Sequence, residues 1–417
     1  MLCSFPRRLR SSGRNGWKAD MGRYFEDVCF LLADPRVRLT RMAHSVQRRH
    51  NAPTTARVGW HSEFRGLFMR AVMMATAMFL MSWPAAAEPL SKTLIALSSK
   101  GFSGQVVAGN EHRVLFDRTV GMTKTPKRWI WGSVSKQVTA ALVMSEVDRG
   151  TLTLDDRVEG KLPGFRDPQG GQATVRQLMQ HTSGLANPFA GVAEGQTPLF
   201  FLRRSKNVGG SSDALGFCAG PPAAEPGRFS YNNCDTIVVG SILEQASKRS
   251  FADLLASRIT RPLGMTSTRL ARYGERLEMG DSQRSANPMN VSAYGAAGAI
   301  VGSATDLVRF DQALMAGKLM TPASQAALWK GEPSLGYVAL GAWSFSAPLK
   351  GCAGPVKLIE RRGSVDGVQA RNIIAPDLKR ILVVFTPKGD FDFGEIWQGK
   401  GASYELASAA FCNEQVR

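Results

Sequence analysis

The chain has 417 residues, 44% of them apolar, and a formal excess of 18 basic over acidic side chains at neutral pH. That composition excludes a disordered or fibrous chain and leaves room for one or two domains with a sizeable core. The charge does not indicate nucleic acid: 14 of the 52 basic residues, but only 5 of the 34 acidic ones, fall in the first seventy positions, and no basic cluster with aromatic stacking partners follows.

Residues 1–68 are rich in Arg, lack periodicity and read as an unstructured basic leader; a start at Met69 would leave them untranslated. Residues 69–87 pair a short basic start (Met69-Arg70) with an apolar stretch, Ala71–Met81, too short to span a bilayer, and a small-residue end at Ala85-Ala86-Ala87. This is the pattern of a secretory signal peptide cleaved after Ala87, with an anchoring helix over 71–83 as the other reading. Export predicts a periplasmic or secreted protein with no stable membrane span once the signal is removed. Four cysteines remain after the signal, with no CxxC pair. In an oxidising compartment Cys218 would pair with Cys234 and Cys352 with Cys412, although spacing does not fix connectivity and free buried thiols are the other reading. Only His112 and His181 lie beyond the signal, without HExxH or a Cys/His cluster, so neither a metal nor another cofactor is expected.

From residue 88 onward the chain reads as one domain. Pro89–Leu97 predicts an opening helix. Gly104–Gly109 and His112–Phe116 predict a hairpin turning at Gly109-Asn110. Trp131-Gly132-Ser133-Val134-Ser135-Lys136 then reads as a turn feeding a helix, since Val138, Ala141, Leu142 and Ser145 recur at helical spacing up to a Gly150 cap. On that helix Ser133 and Lys136 share a face. A serine hydroxyl is a poor nucleophile until a neighbour takes its proton, and a lysine one turn away in a cleft is one of the few groups placed to do so. First-turn N–H groups point where an oxyanion would form. The bland readings are a capping serine and a surface lysine.

Thr174 opens a short helix that runs into His181-Thr182-Ser183-Gly184-Leu185, and 186–228 reads as an irregular excursion over a rim. Further helices are predicted over Ile237–Gln245, Phe251–Ile259, Leu307–Met315 and Tyr404–Phe411. Val356–Ile359, Val368–Ile374 and Ile381–Phe385 predict an antiparallel meander. Strands at both ends with helices between them predict an α+β fold: one antiparallel sheet built from the two chain ends, flanked by helices, with an inserted helical subdomain.

The segments Gly132–Lys136, His181–Leu185, Pro226–Asn233 and Arg261–Met265, in that order, resemble those of the serine β-lactamase and penicillin-binding-protein superfamily, nearest the class C β-lactamases, D,D-carboxypeptidases and related esterases. The resemblance implies that Ser133 is acylated, that Lys136 helps take its proton, that Tyr231 is the partner base and that Asn233 holds Lys136 or a substrate carbonyl. The usual Lys-Thr-Gly or His-x-Gly strand is here Arg361-Arg362-Gly363-Ser364, which would supply the substrate and oxyanion side of the site, with the second oxyanion N–H from Ser364. An arginine at 361 gives charge and a bidentate fork but exchanges no proton, which puts β-lactam turnover in doubt. Asp366 stands where the family mostly has glycine. A solvated charge run is the bland reading of 361–362, and a core aromatic that of Tyr231. His181 reads as a packing histidine, because Ser133 lacks a GxSxG elbow and no acid is placed to orient the ring. The implied activity is an exported serine hydrolase acting on small-molecule or peptide substrates through an acyl-enzyme on amide or ester bonds (D-amino-acid peptide, small ester or β-lactam). The alternative is a penicillin-binding or sensor-type protein that acylates without useful turnover.

Overall fold

The computed structural model describes residues 87–192, 198–202, 212–275, 277 and 289–412. The basic leader over 1–68 and nearly all of the signal segment lie outside the described residues. Helix α1 (Ala87–Ser99) is followed by the hairpin β1 (Gly104–Asn110) and β2 (Val114–Val120), with β2 beginning later and running longer than the sequence suggested. The chain turns at Asn110, whose side-chain oxygen accepts from the N–H groups of His112 and Arg113.

The large sheet has the strand order β2-β1-β9-β8-β7-β6 and is antiparallel throughout, with β6 Trp343–Ala347, β7 Val356–Val365, β8 Val368–Ala375 and β9 Arg380–Thr386. Strand β1 pairs with β9, Val107 opposite Val383, so the two chain ends close one sheet as expected. The edge strand β6 was not anticipated. A smaller sheet, β3-β5-β4 (Trp129–Ile130, Ile300–Gly302, Arg269–Leu270), leads into the serine turn. Between β7 and β8, Asp366 (φ 52°) and Gly367 (φ 79°) make the two-residue turn that tight hairpins favour.

Strand periodicity sorts the core into two layers. Val107, Ile381, Val383 and Phe385 face the helical subdomain, where they pack on α6 (Ala304–Met315) in a core shared with α2 (Ser135–Asp148); Val106, Leu382 and Val384 face α1 and α7 (Ala402–Phe411). Each such side chain stabilises the fold by about 1.5–3 kcal/mol relative to remaining exposed. Both faces are covered, so β8 is buried at every position, Arg371 and Asn372 included.

Helix α2 is buried nearly all round, as its run Val138-Thr139-Ala140-Ala141-Leu142-Val143-Met144 requires. It ends at Asp148, followed by Gly150 at φ 72°. Helix α3 (Val175–Met179) starts from a capping box in which the Thr174 hydroxyl accepts from the Gln177 N–H and the Gln177 side chain accepts from the Thr174 N–H. The rim excursion is less irregular than its composition suggested, since it carries short helices at Leu199–Leu202 and α4 (Ser212–Cys218). Disulfides join Cys218 to Cys234, tying α4 to α5 (Asn233–Ser247), and Cys352 to Cys412. These are the two pairings expected in an oxidising compartment. Among the described residues no helix is long and apolar enough to cross a membrane.

Candidate active site

Ser133 sits in a single 3-10 turn, Gly132–Val134, that runs straight into α2. The turn is pressed against β7. A Cβ on Gly363 would fall 2.2 Å from the Trp131 carbonyl oxygen, so only glycine lets the strand approach this closely. The backbone nitrogen of Ser364 lies beside Gly132, 3.1 Å from where a Cβ there would stand.

Lys136 is one turn further along α2 and points back to the same place. Its Nζ donates to Ser133 Oγ (3.2 Å), Asn233 Oδ1 (2.6 Å) and the Ala297 carbonyl (2.9 Å), with the Tyr231 phenol beside it. Asn233 therefore holds the lysine, one of the two roles the resemblance left open. It is the first residue of α5, and the residue before it, Asn232, caps that helix: Asn232 Oδ1 accepts from the Cys234 N–H, while Nδ2 donates to the Leu185 and Ala186 carbonyls. The extended Asn232 backbone leaves Tyr231 just outside the helix, where its hydroxyl shares a hydrogen bond of 2.6 Å with Ser133 Oγ.

Arg361 closes the group from β7. It is 1% exposed; its Nε donates to the Ser133 carbonyl and its Nη2 to the Tyr231 hydroxyl, each at 2.8 Å. One planar guanidinium thus ties the backbone of the serine to the phenol. Arg362 is not brought to this side. Successive strand residues face opposite ways, and Arg362 instead meets Glu360 (2.9 Å), Glu395 (2.5 Å) and the Trp397 ring on the far face of the sheet.

Burial brings the Lys136 ammonium down to about 8, although the neighbouring phenol works in the other direction. Burial pushes the Tyr231 phenol up, but the Arg361 and Lys136 charges outweigh it, and the net shift is downward. Burial likewise lowers Arg361, against the pull of the phenol. The cluster is therefore an amine and a phenol that both hold their protons less tightly than usual, both within reach of one hydroxyl.

His181 requires a correction. The expectation that no acid orients its ring fails, because Asp235 Oδ2 lies 2.8 Å from His181 Nδ1, and Asp235 Oδ1 accepts from the Ser183 hydroxyl. Burial, reinforced by Arg361 and Lys136, holds the histidine well below its ordinary value, and burial drives Asp235 well above its own. Ser133 does not contact this pair directly; Tyr231 stands between, its ring centroid 4.6 Å from that of His181. The Ala297 carbonyl was also missed, as a main-chain acceptor leaves no side-chain signature.

A family model described as Beta-lactamase matches residues 102–392. Among curated relatives, penicillin-binding protein 4 of Amycolatopsis lactamdurans is 31% identical over 237 residues, covering 52% of this chain and 59% of that one. A D-aminopeptidase of Cereibacter sphaeroides is 34% identical over 142 residues, 33% of this chain and 25% of that one. The chain spans about 39–59% of the length of the first curated relatives it matches. Of solved structures, a D-stereospecific amidohydrolase from Streptomyces sp. superposes with a TM-score of 0.60 at 23% identity, covering 78% of this chain and 98% of that one. The D-amino acid amidase of Ochrobactrum anthropi SV3 superposes at 0.61 and 18% identity, covering 78% and 97%. At these identities the superpositions speak for the fold, the helix-flanked antiparallel sheet described above.

Proposed function

The chain belongs to the Beta-lactamase family, and on that premise we propose that it is an exported serine hydrolase that cleaves amide or ester bonds through an acyl-enzyme on Ser133. The observation that carries this reading is the convergence on Ser133 Oγ of Tyr231 (2.6 Å) and Lys136 (3.2 Å), with Arg361 bonded to the same phenol.

Tyr231, ionised in the field of Arg361 and Lys136, takes the Ser133 proton as Oγ attacks the substrate carbonyl carbon. The oxyanion is received by the main-chain N–H groups of Ser133 and Ser364. On collapse the carbonyl reforms, the bond to the leaving nitrogen or oxygen breaks, and that atom takes the proton back from Tyr231. Lys136, held by Asn233 and the Ala297 carbonyl, keeps its positive charge beside the phenol and steadies its ionised form. In deacylation a water gives its proton to Tyr231 and attacks the ester carbon. The acid departs and Ser133 Oγ recovers the proton. Arg361 enters none of these transfers, since a guanidinium keeps its protons throughout. Substrates of the D-amino-acid peptide or amide class are suggested by the D-aminopeptidase and amidase relatives; small esters and β-lactams complete the class. The two disulfides agree with export.

Purified protein incubated with a short-chain nitrophenyl ester and with a fluorescent penicillin tests the reading. Steady ester release that vanishes in Ser133→Ala is expected. Penicillin labelling that stops after one equivalent, without ester release, would favour the acylating sensor, and activity persisting in Ser133→Ala would overturn the assignment. Export is tested by N-terminal sequencing of the secreted chain, with a start at Glu88 expected.

A further inference from the structure

Behind the phenol lies a buried chain of polar groups that the chemistry above leaves unused: Ser183, Asp235 and His181, all within the core. His181 is bound to the segment that carries Tyr231 on both sides of that residue. Its carbonyl accepts from the Ser230 N–H at 2.8 Å, and its Nδ1 meets Asp235, four residues beyond Tyr231, at 2.8 Å. Its ring lies tilted over the Tyr231 ring at 58° and stands edge-on to Phe229 at 6.2 Å. The histidine adopts φ 57°, a left-handed conformation that side chains with a Cβ avoid unless their surroundings impose it. Here it closes helix α3: the Thr182 N–H donates to the Gln177 carbonyl at 2.9 Å and the His181 N–H to the Leu178 carbonyl at 3.3 Å, the bonds of a left-handed helix cap. Asp235 is in turn held by Ser183, and the Ser183 hydroxyl accepts from the Leu185 N–H at 3.0 Å.

Resting on the acyl-enzyme reading above, we infer that His181, fastened by Asp235, is a positioning residue that fixes the ring of Tyr231 so that its oxygen meets Ser133, Lys136 and Arg361 at once. The phenol has one rotatable ring and three partners on different elements: the serine turn, α2 and β7. The wall on its remaining side decides whether all three can be reached together. His181 is that wall, and its neutral ring adds no third cation to the two already present.

The charged and titratable groups around the phenol are Lys136 from α2, Arg361 from β7, Asp235 from α5 through His181, and Tyr294 from the 291–297 segment, on which the phenol acts. If the ring swings, the phenol leaves both cations, and its ionisation moves up toward the ordinary tyrosine range. The acid limb of the acylation profile must then move to higher pH. Burial keeps His181 unprotonated, so the limb does not report the histidine itself.

The test compares His181→Ala with His181→Asn in the full domain. Asparagine tolerates the left-handed backbone and offers an amide near the Nδ1 position, but it lacks the ring. In His181→Ala the acylation rate constant per titrated Ser133 should fall about 100-fold, the loss expected of an ångström-scale misplacement, with the acid limb raised by about one pH unit. In His181→Asn, which keeps the backbone conformation but not the ring, most of the rate loss and most of the upward shift should remain. The near-ultraviolet tyrosinate titration, taken as the difference from Tyr231→Phe, should move the same way without requiring turnover. Parent-like rate per site and parent-like tyrosinate midpoint in either variant would overturn the inference, as would a loss confined to thermal stability. Should His181→Ala not fold, the Asn variant decides alone. Should the parent fail to acylate Ser133, the acyl-enzyme reading falls, and the tyrosinate midpoint still judges His181.

Discussion

Arg361 and Arg362 are neighbours on one strand, both largely sealed from solvent, and their surroundings have nothing in common. Arg362 is neutralised by Glu360 and Glu395 and covered by Trp397; burial lowers its proton affinity, but the two carboxylates more than reverse this. Among the described residues, Arg361 has no carboxylate hydrogen-bond partner. Its donors go to a carbonyl and a phenol, and burial leaves its affinity lowered. A buried cation with a full set of anions is part of the scaffold, whereas one facing only a phenol is satisfied best when that phenol ionises. On the proposed mechanism, the two faces of β7 separate holding the sheet together from preparing a base.

Substitutions on the two faces should therefore fail differently. The largest effect is expected from Lys136→Met, which keeps the volume of the side chain but removes the amine: acylation of Ser133 should fall about 10³-fold, read as the rate of ester release per titrated site. Arg361→Met should cost about 10²-fold and also change the pH profile. The phenol is ionised above its folded pKa, and Arg361 helps hold that value down, so removing the guanidinium raises it and carries the acid limb to higher pH. An unmoved limb would break the comparison. Arg362→Met should leave the rate per titrated site within about twofold, yet lower unfolding stability by about 3 kcal/mol, because Glu360 and Glu395 would stay buried without their counterion. Urea denaturation separates that loss from any effect on chemistry. A rate loss in Arg362→Met comparable to that in Arg361→Met would show that the faces are coupled through the strand.

Much of this could be read from local pattern. The serine turn and α2 announce themselves because an apolar run follows Ser133 and Lys136 at helical spacing, and a glycine ends it. The meander follows from β-rich runs separated by Gly363–Gly367 and by Ala375-Pro376-Asp377. Placing Arg362 beside the substrate overlooked a rule already available: on a strand, if 361 faces inward, 362 cannot. The bond between His181 and Asp235 was out of reach for another reason. It joins residues 54 positions apart, and neither a histidine after a short helix nor an aspartate in the first turn of another advertises its partner. Strand β6 escaped notice because Trp343–Ala347 is a short, mixed edge segment whose placement depends on β7 rather than on its own composition.

The Cys218–Cys234 link has a consequence for anyone making this protein. Cys234 directly follows Asn233, which holds the lysine, and stands one residue before Asp235, which holds His181. Protein recovered from a reducing cytosol would carry that corner of the site unfastened, and its specific activity would track the fraction of oxidised thiols rather than the amount of folded chain. A preparation that looks homogeneous by mass would then be a mixture in performance until its thiols had been counted.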